Sequence, residues 1–139
     1  IFWTTADQAR SPRAEDLQNL GCRIWALPEQ GHGLDLSVGL TRLRTELGVL
    51  DVLCEGGGRL ALSLVEKDLA DEFYLFLAPR ILGDELARPL FAGRSIQTMD
   101  QALSWRIVQQ KRFDEDLLLV LKKKPAPGPR SESSNAATI

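Results

Sequence analysis

The stretch Val49-Leu50-Asp51-Val52-Leu53-Cys54-Glu55-Gly56-Gly57-Gly58-Arg59-Leu60 constrains this chain more than any other. An apolar segment, three consecutive glycines and an amphipathic pattern follow one another without a gap. The apolar residues predict a buried strand over 49–54, and Leu60, Ala61, Leu64 and Val65 predict the inward stripe of a helix over 59–69. Glycine admits positive φ, so the chain can turn sharply between the two. Without Cβ atoms the backbone can be approached closely, and the free N–H groups and positive end of the helix favour an anion such as a phosphate. The same turn also serves tight packing in α/β proteins, with no ligand involved. It is neither G-x-G-x-x-G nor a Walker loop, because the third glycine is adjacent and no Gly-Lys-Ser/Thr follows.

The flanking sequence predicts alternating elements. Ile1–Thr5 and Cys22–Leu27 read as strands, with a short helical turn at 16–21 stopped by Gly21. Leu36, Leu40, Leu43 and Leu47 line one face of a helix capped by Gly48, with Arg42, Arg44 and Glu46 turned to solvent. Asp71–Ala78 is apolar almost without alternation, which predicts a strand covered on both faces. Residues 80–104 read as mixed loop. Trp105–Phe113 and Leu117–Leu121 predict a hairpin turning at 114–116. The order predicts an α/β sandwich whose sheet is mostly parallel and ends in an antiparallel C-terminal hairpin. Residues 1–124 are expected to form one domain, and the Pro-, Ser- and Ala-rich residues 125–139 a disordered tail.

Composition narrows the function classes. The 139 residues carry 17 basic and 19 acidic side chains, a net charge of −2 that gives no general pull toward nucleic acid or an anionic membrane. No apolar run approaches the ~18–20 residues of a membrane helix, and residues 1–10 lack a signal-peptide pattern, so a cytoplasmic domain is expected. Cys22 and Cys54 are too few for a disulfide framework or a zinc site, and no metal is expected. His32 is the one histidine and reads as an exposed loop residue rather than a general base, which leaves a Ser–His–Asp hydrolase without parts. Cys54 reads as a small buried hydrophobe, Trp3, Trp25 and Trp105 as packing residues, and Asp71 and Glu72 as a turn and a solvated strand start. Glu55 stands where α/β sheets place their ligands, although an acid at a helix start can simply complement the dipole. Arg59 can reach a bound phosphate or stay solvated. Met99 is the one methionine, so the chain contains no translation start, and an apolar strand at residue 1 predicts a beginning inside a domain.

The residues Val52–Leu60, followed by Leu69-Ala70-Asp71-Glu72 and Ala78-Pro79-Arg80-Ile81-Leu82-Gly83, resemble the C-terminal reductase domain of bacterial riboflavin-biosynthesis deaminase/reductases. Asp114–Leu119 resembles the same family's closing motif, and the detailed likeness covers about residues 50–121. The resemblance implies a dihydrofolate-reductase-like three-layer sandwich that binds NADPH. It implies reduction of 5-amino-6-(5-phosphoribosylamino)uracil, hydride passing to the ribose C1 and opening the sugar to a ribitylamino chain. Carried over position by position, Gly56, Gly57, Gly58, Arg59 and Leu60 correspond to the family's cofactor-phosphate loop, and Glu55 to the acid beside the substrate. Thr4 and Thr5 match its cofactor-binding residues more loosely. Gly58 stands where many members have proline. The resemblance further implies a homodimer, and places most substrate-binding residues in a segment before the first strand present here. Two other readings are a related pterin- or folate-type reductase and a nucleotide-binding or dimerisation module without turnover.

Overall fold

The computed structural model describes residues 1–31 and 33–124. His32 and the 125–139 tail, both subjects of sequence expectations, lie outside the described residues. The chain divides into two compact units, Ile1–Gly57 and Gly58 onward.

In the first unit, strand β1 (Phe2–Thr4) pairs in parallel with β2 (Ile24–Ala26), Trp3 standing opposite Trp25. Parallel neighbours need a crossover connection. Here it is a 3-10 turn, Gln8–Arg10, followed by helix α1 (Pro12–Asn19). The sequence reading placed only a helical turn at 16–21, but the helix starts at Pro12. Ser11 caps it by accepting from the Ala14 N–H at 3.3 Å, and Pro12 occupies the first turn, where its missing N–H costs nothing. Gly21 takes φ +83° at the exit, as the predicted stop requires.

A two-residue-per-strand hairpin, β3 (Glu29–Gln30) and β4 (Gly33–Leu34), precedes helix α2 (Leu36–Leu47). Asp35 caps α2, its Oδ1 accepting from the Ser37 N–H at 3.0 Å and the Ser37 hydroxyl at 2.6 Å. Gly48 ends it at φ +66°, its N–H donating to the Arg44 carbonyl. The predicted leucine stripe is half right. Leu36 is buried, Leu40 and Leu43 are half-buried, but Leu47 is exposed and the second buried position is Gly39. Trp3 is the reason: its ring lies on the helix, where a Cβ on Gly39 would stand 2.7 Å from two ring carbons. Trp25 stacks parallel to Trp3 at 6.5 Å, and the Arg42 guanidinium lies 4.3 Å above its ring. Arg42 is therefore not turned to solvent as the helical spacing predicts. It is half-buried and also donates to Glu46 at 2.7 Å.

The predicted strand over 49–54 does not form. Strands exist by pairing, and none of the described strands pairs with these residues; Leu50, Val52 and Leu53 are exposed. In the second unit, helix α3 (Gly58–Glu66) leads to β5 (Glu72–Leu77), a 3-10 turn at Met99–Gln101, and the hairpin β6 (Trp105–Phe113) and β7 (Asp116–Lys123). The sheet order is β5-β7-β6, antiparallel throughout. The hairpin matches the sequence reading, but the mostly parallel sheet does not: among the described residues β1–β2 is the one parallel pair. The reason is that β7, returning from the hairpin, inserts between β6 and β5 and runs against both. The uniform apolarity of β5 also does not mark burial on both faces. Phe73 and Leu75 are half-buried on one face, while Tyr74 and Phe76 are exposed on the other. In α3 the inward side is centred on Leu62, and Leu60, predicted inward, is exposed.

Gly39→Ala should destabilise the protein. Helix propensity gains up to ~1 kcal/mol, but forcing a methyl into the Trp3 ring costs about 1–3 kcal/mol. A lower melting temperature is expected, and an unchanged or higher one would show that the ring can move aside freely.

Candidate functional site

The residues singled out from the sequence fall at three places in the chain. Thr4 and Thr5 sit at the carboxyl end of β1, where parallel α/β strands present ligand-binding groups. The Thr4 carbonyl accepts from the Leu27 N–H at 2.8 Å, and Thr5 Oγ1 accepts from the Gln8 N–H at 3.3 Å, so the Thr5 hydroxyl already caps the 3-10 turn. Glu55, Gly56 and Gly57 are exposed residues of an irregular segment. A Cβ on Gly57 would meet nothing within 4 Å, so this backbone is open to an approaching group. Gly58, Arg59 and Leu60 form the first turn of α3, with Arg59 and Leu60 exposed. The first N–H groups of a helix have no partner within it, and they carry the positive end of its dipole.

Gly58 differs from its neighbour. A Cβ there would stand 2.7 Å from the Leu90 carbonyl oxygen and 2.8 Å from that of Pro89. Its own carbonyl accepts from the Ala92 N–H at 3.4 Å. These two adjacent glycines thus serve different ends: Gly57 faces open space and Gly58 is packed by backbone. Pro89 and Gly93 mark a loop in the sequence, but nothing in their spacing signals that it returns to the start of α3.

Other expectations are corrected. Cys54 is exposed rather than buried, because the strand that would have covered it is absent. Glu72 is not merely solvated: it lies 2.6 Å from Lys122 Nζ and accepts from the Tyr74 hydroxyl at 2.7 Å. Among the described residues no group of three or more His, Cys, Asp or Glu side chains converges as metal ligands, and no helix is long and apolar enough to cross a membrane. The second unit also contains a cavity of about 470 Å³ between α3, β5 and the segment 90–105, walled by Leu62, Val65, Phe73, Phe91 and Trp105. Arg94 is the charged residue of that lining and is paired with Glu66 at 3.3 Å. A lining this apolar suits side-chain packing better than a phosphate.

A family model described as the RibD C-terminal domain matches residues 1–119. The chain belongs to that family. Similar members include the riboflavin biosynthesis protein RibD of Actinobacillus pleuropneumoniae, 27% identical over 119 residues that make up 86% of this chain and 31% of that protein. The 2,5-diamino-6-ribosylamino-4(3H)-pyrimidinone 5′-phosphate reductase of Methanothermobacter thermautotrophicus is 33% identical over 62% of this chain and 39% of its own length. Among solved structures, Acinetobacter baumannii RibD in form 1 superposes with a TM-score of 0.69 at 26% identity, covering 80% of this chain and 29% of that one. The chain therefore spans about a third of the RibD proteins it matches. The α/β fold is that of the RibD C-terminal domain structures.

The shifted titrations of this chain lie away from the glycine turn. The Lys122 ammonium, and then the Tyr74 hydroxyl, hold the Glu72 carboxyl below its ordinary range. The hydrogen bond to Glu72 raises both Lys122 and Tyr74. The Glu72 contribution is therefore present above the ordinary carboxylate range and is lost as pH falls through the lowered value. The Lys122 and Tyr74 contributions are present below their ordinary ranges and fade as pH rises through the raised ones. Glu72→Gln should be less stable than wild type at neutral pH, with the gap closing on acidification; a gap independent of pH would remove the charge pairing as its cause.

Proposed function

We propose that this chain is the reductase part of a riboflavin-biosynthesis enzyme, reducing a phosphoribosylamino-pyrimidine with NADPH. The observation that carries the reading is the family match over residues 1–119 together with a relative named as a pyrimidinone 5′-phosphate reductase. The proposed domain is 1–124, a dihydrofolate-reductase-like three-layer sandwich, working as a homodimer in the cytoplasm.

The open backbone at Gly57 and the exposed first turn of α3 fit a cofactor's phosphates. In this reading Gly56, Gly57 and the amides of Arg59 and Leu60 hold the phosphate, and the Arg59 guanidinium adds charge. Gly58 shapes the turn. Thr4 and Thr5 line the cofactor side at the end of β1, and the Glu55 carboxylate accepts hydrogen bonds from substrate hydroxyls. The bound nicotinamide cofactor supplies the hydride that opens the ribose at C1. The side chains have the simpler task of holding the two reactants in register.

Two pyrimidines fit the proposed class. The first is 5-amino-6-(5-phosphoribosylamino)uracil; the second is the 2,5-diamino compound in the name of the Methanothermobacter relative. Turnover assays with each substrate distinguish them, and turnover of neither would favour a nucleotide-binding module.

Calorimetric titration should show NADPH binding more tightly than NADH, and equal affinities would argue against a site for the 2′-phosphate. Gly57→Val should weaken NADPH binding about tenfold or more, equivalent to ~1.4 kcal/mol. Its melting temperature should stay put, because nothing packs against that position. Unchanged affinity would remove the turn from the binding site.

A further inference from the structure

We propose that the segment Pro89–Ala92 is a positioning strut for the first turn of α3, with Phe91 as its anchor. This inference rests on the assignment of that turn to cofactor binding. Three observations within the second unit carry it. The Pro89 and Leu90 carbonyl oxygens press on Gly58 so closely that a Cβ there would lie 2.8 and 2.7 Å from them. The Ala92 N–H donates to the Gly58 carbonyl at 3.4 Å, so the segment meets Gly58 both at its Cα and at its carbonyl. The Phe91 ring packs on Phe73 of β5 at 5.2 Å, fixing the segment to the sheet.

The arrangement has a physical logic. Carbonyl oxygens carry partial negative charge and are favoured beside the positive end of a helix. A nine-residue helix is short, and isolated helices of that length are marginal in water. Its first turn is therefore held by contacts from outside. The strut supplies such contacts at Gly58, next to the amides of Arg59 and Leu60 that would meet a phosphate. Gly58 is accordingly required by the protein's own backbone, whereas Gly57 is required by the ligand. Phe91 and Ala92 touch no reactant in this scheme; they act through Gly58.

The test uses the 139-residue chain with Phe91→Ala, Phe91→Leu and Gly58→Ala. NADPH affinity is read by titration, and hydrogen exchange is followed over residues 58–64 and over the β6–β7 hairpin. Phe91→Ala and Gly58→Ala should weaken NADPH binding about tenfold and speed exchange over 58–64 while the hairpin stays protected. Phe91→Leu, which keeps an apolar anchor, should remain close to wild type. Wild-type affinity in both Phe91→Ala and Gly58→Ala would overturn the strut. So would lost binding with unchanged exchange over 58–64, or exchange that rises equally in the hairpin, the mark of general destabilisation. Should the wild-type chain bind no NADPH, the cofactor assignment fails, and exchange alone decides the strut: a selective rise over 58–64 upholds it and no rise overturns it.

Discussion

Strand β7 is the one strand among the described residues with neighbours on both sides, and the second unit depends on that double pairing. Leu117–Lys122 stand opposite β5 on one edge and β6 on the other. An antiparallel strand in this position satisfies its N–H and C=O groups in both directions, which a lone hairpin cannot do. It also brings distant parts of the chain together, since β5 and β6 are separated by the long irregular stretch between Leu77 and Trp105. Val120, at 5% exposure, is the most buried of the described residues of this unit and lies at the middle of β7. The Glu72–Lys122 pair reinforces the same strand from its edge.

The first unit is organised by aromatic layering rather than by a wide sheet. The two-strand parallel pair is too small to make a core, so the bulk comes from Trp25, stacked on Trp3 and roofed by Arg42. Gly39 admits the Trp3 ring against α2, and Ala14 and Leu27 are the other described residues buried in this unit besides Leu36. A tryptophan carries enough apolar area to do this with few partners.

Local signals in the sequence are legible where they act through nearest neighbours. Gly48 marks the end of α2, Gly21 ends α1, and the Trp105–Phe113 and Leu117–Leu121 runs announce a hairpin. What the sequence obscures depends on partners far along the chain. The apolar run at 49–54 has the composition of a strand but no described neighbour to pair with. The apolar run of β5 implied parallel burial, whereas its partner proved to be β7. Arg42 looks solvated by helical spacing because the spacing holds no record of Trp25. At the candidate site the pattern of Glu55 and three glycines draws attention to this turn, and the resemblance supplies the family. The different demands on Gly57 and Gly58 were hidden, since Pro89–Ala92 reaches Gly58 only in three dimensions.

In β6 the ladder slips between Ile107 and Gln109, leaving Val108 as an extra residue. Before the slip, Trp105 and Ile107 share a side of the sheet with Lys123 and Leu121; after it, Gln109 and Lys111 sit opposite Val120 and Leu118. The odd-numbered residues thus change sides part-way along the strand. The slip is consequently the place where the strand tolerates a change of one residue in its length. Loss of Val108 would leave Lys111 opposite Leu118 and Phe113 opposite Asp116, so both would keep their surface of the sheet. A deletion elsewhere in β6 would turn the side chains between it and the bulge to the wrong face, whereas one at the bulge is absorbed.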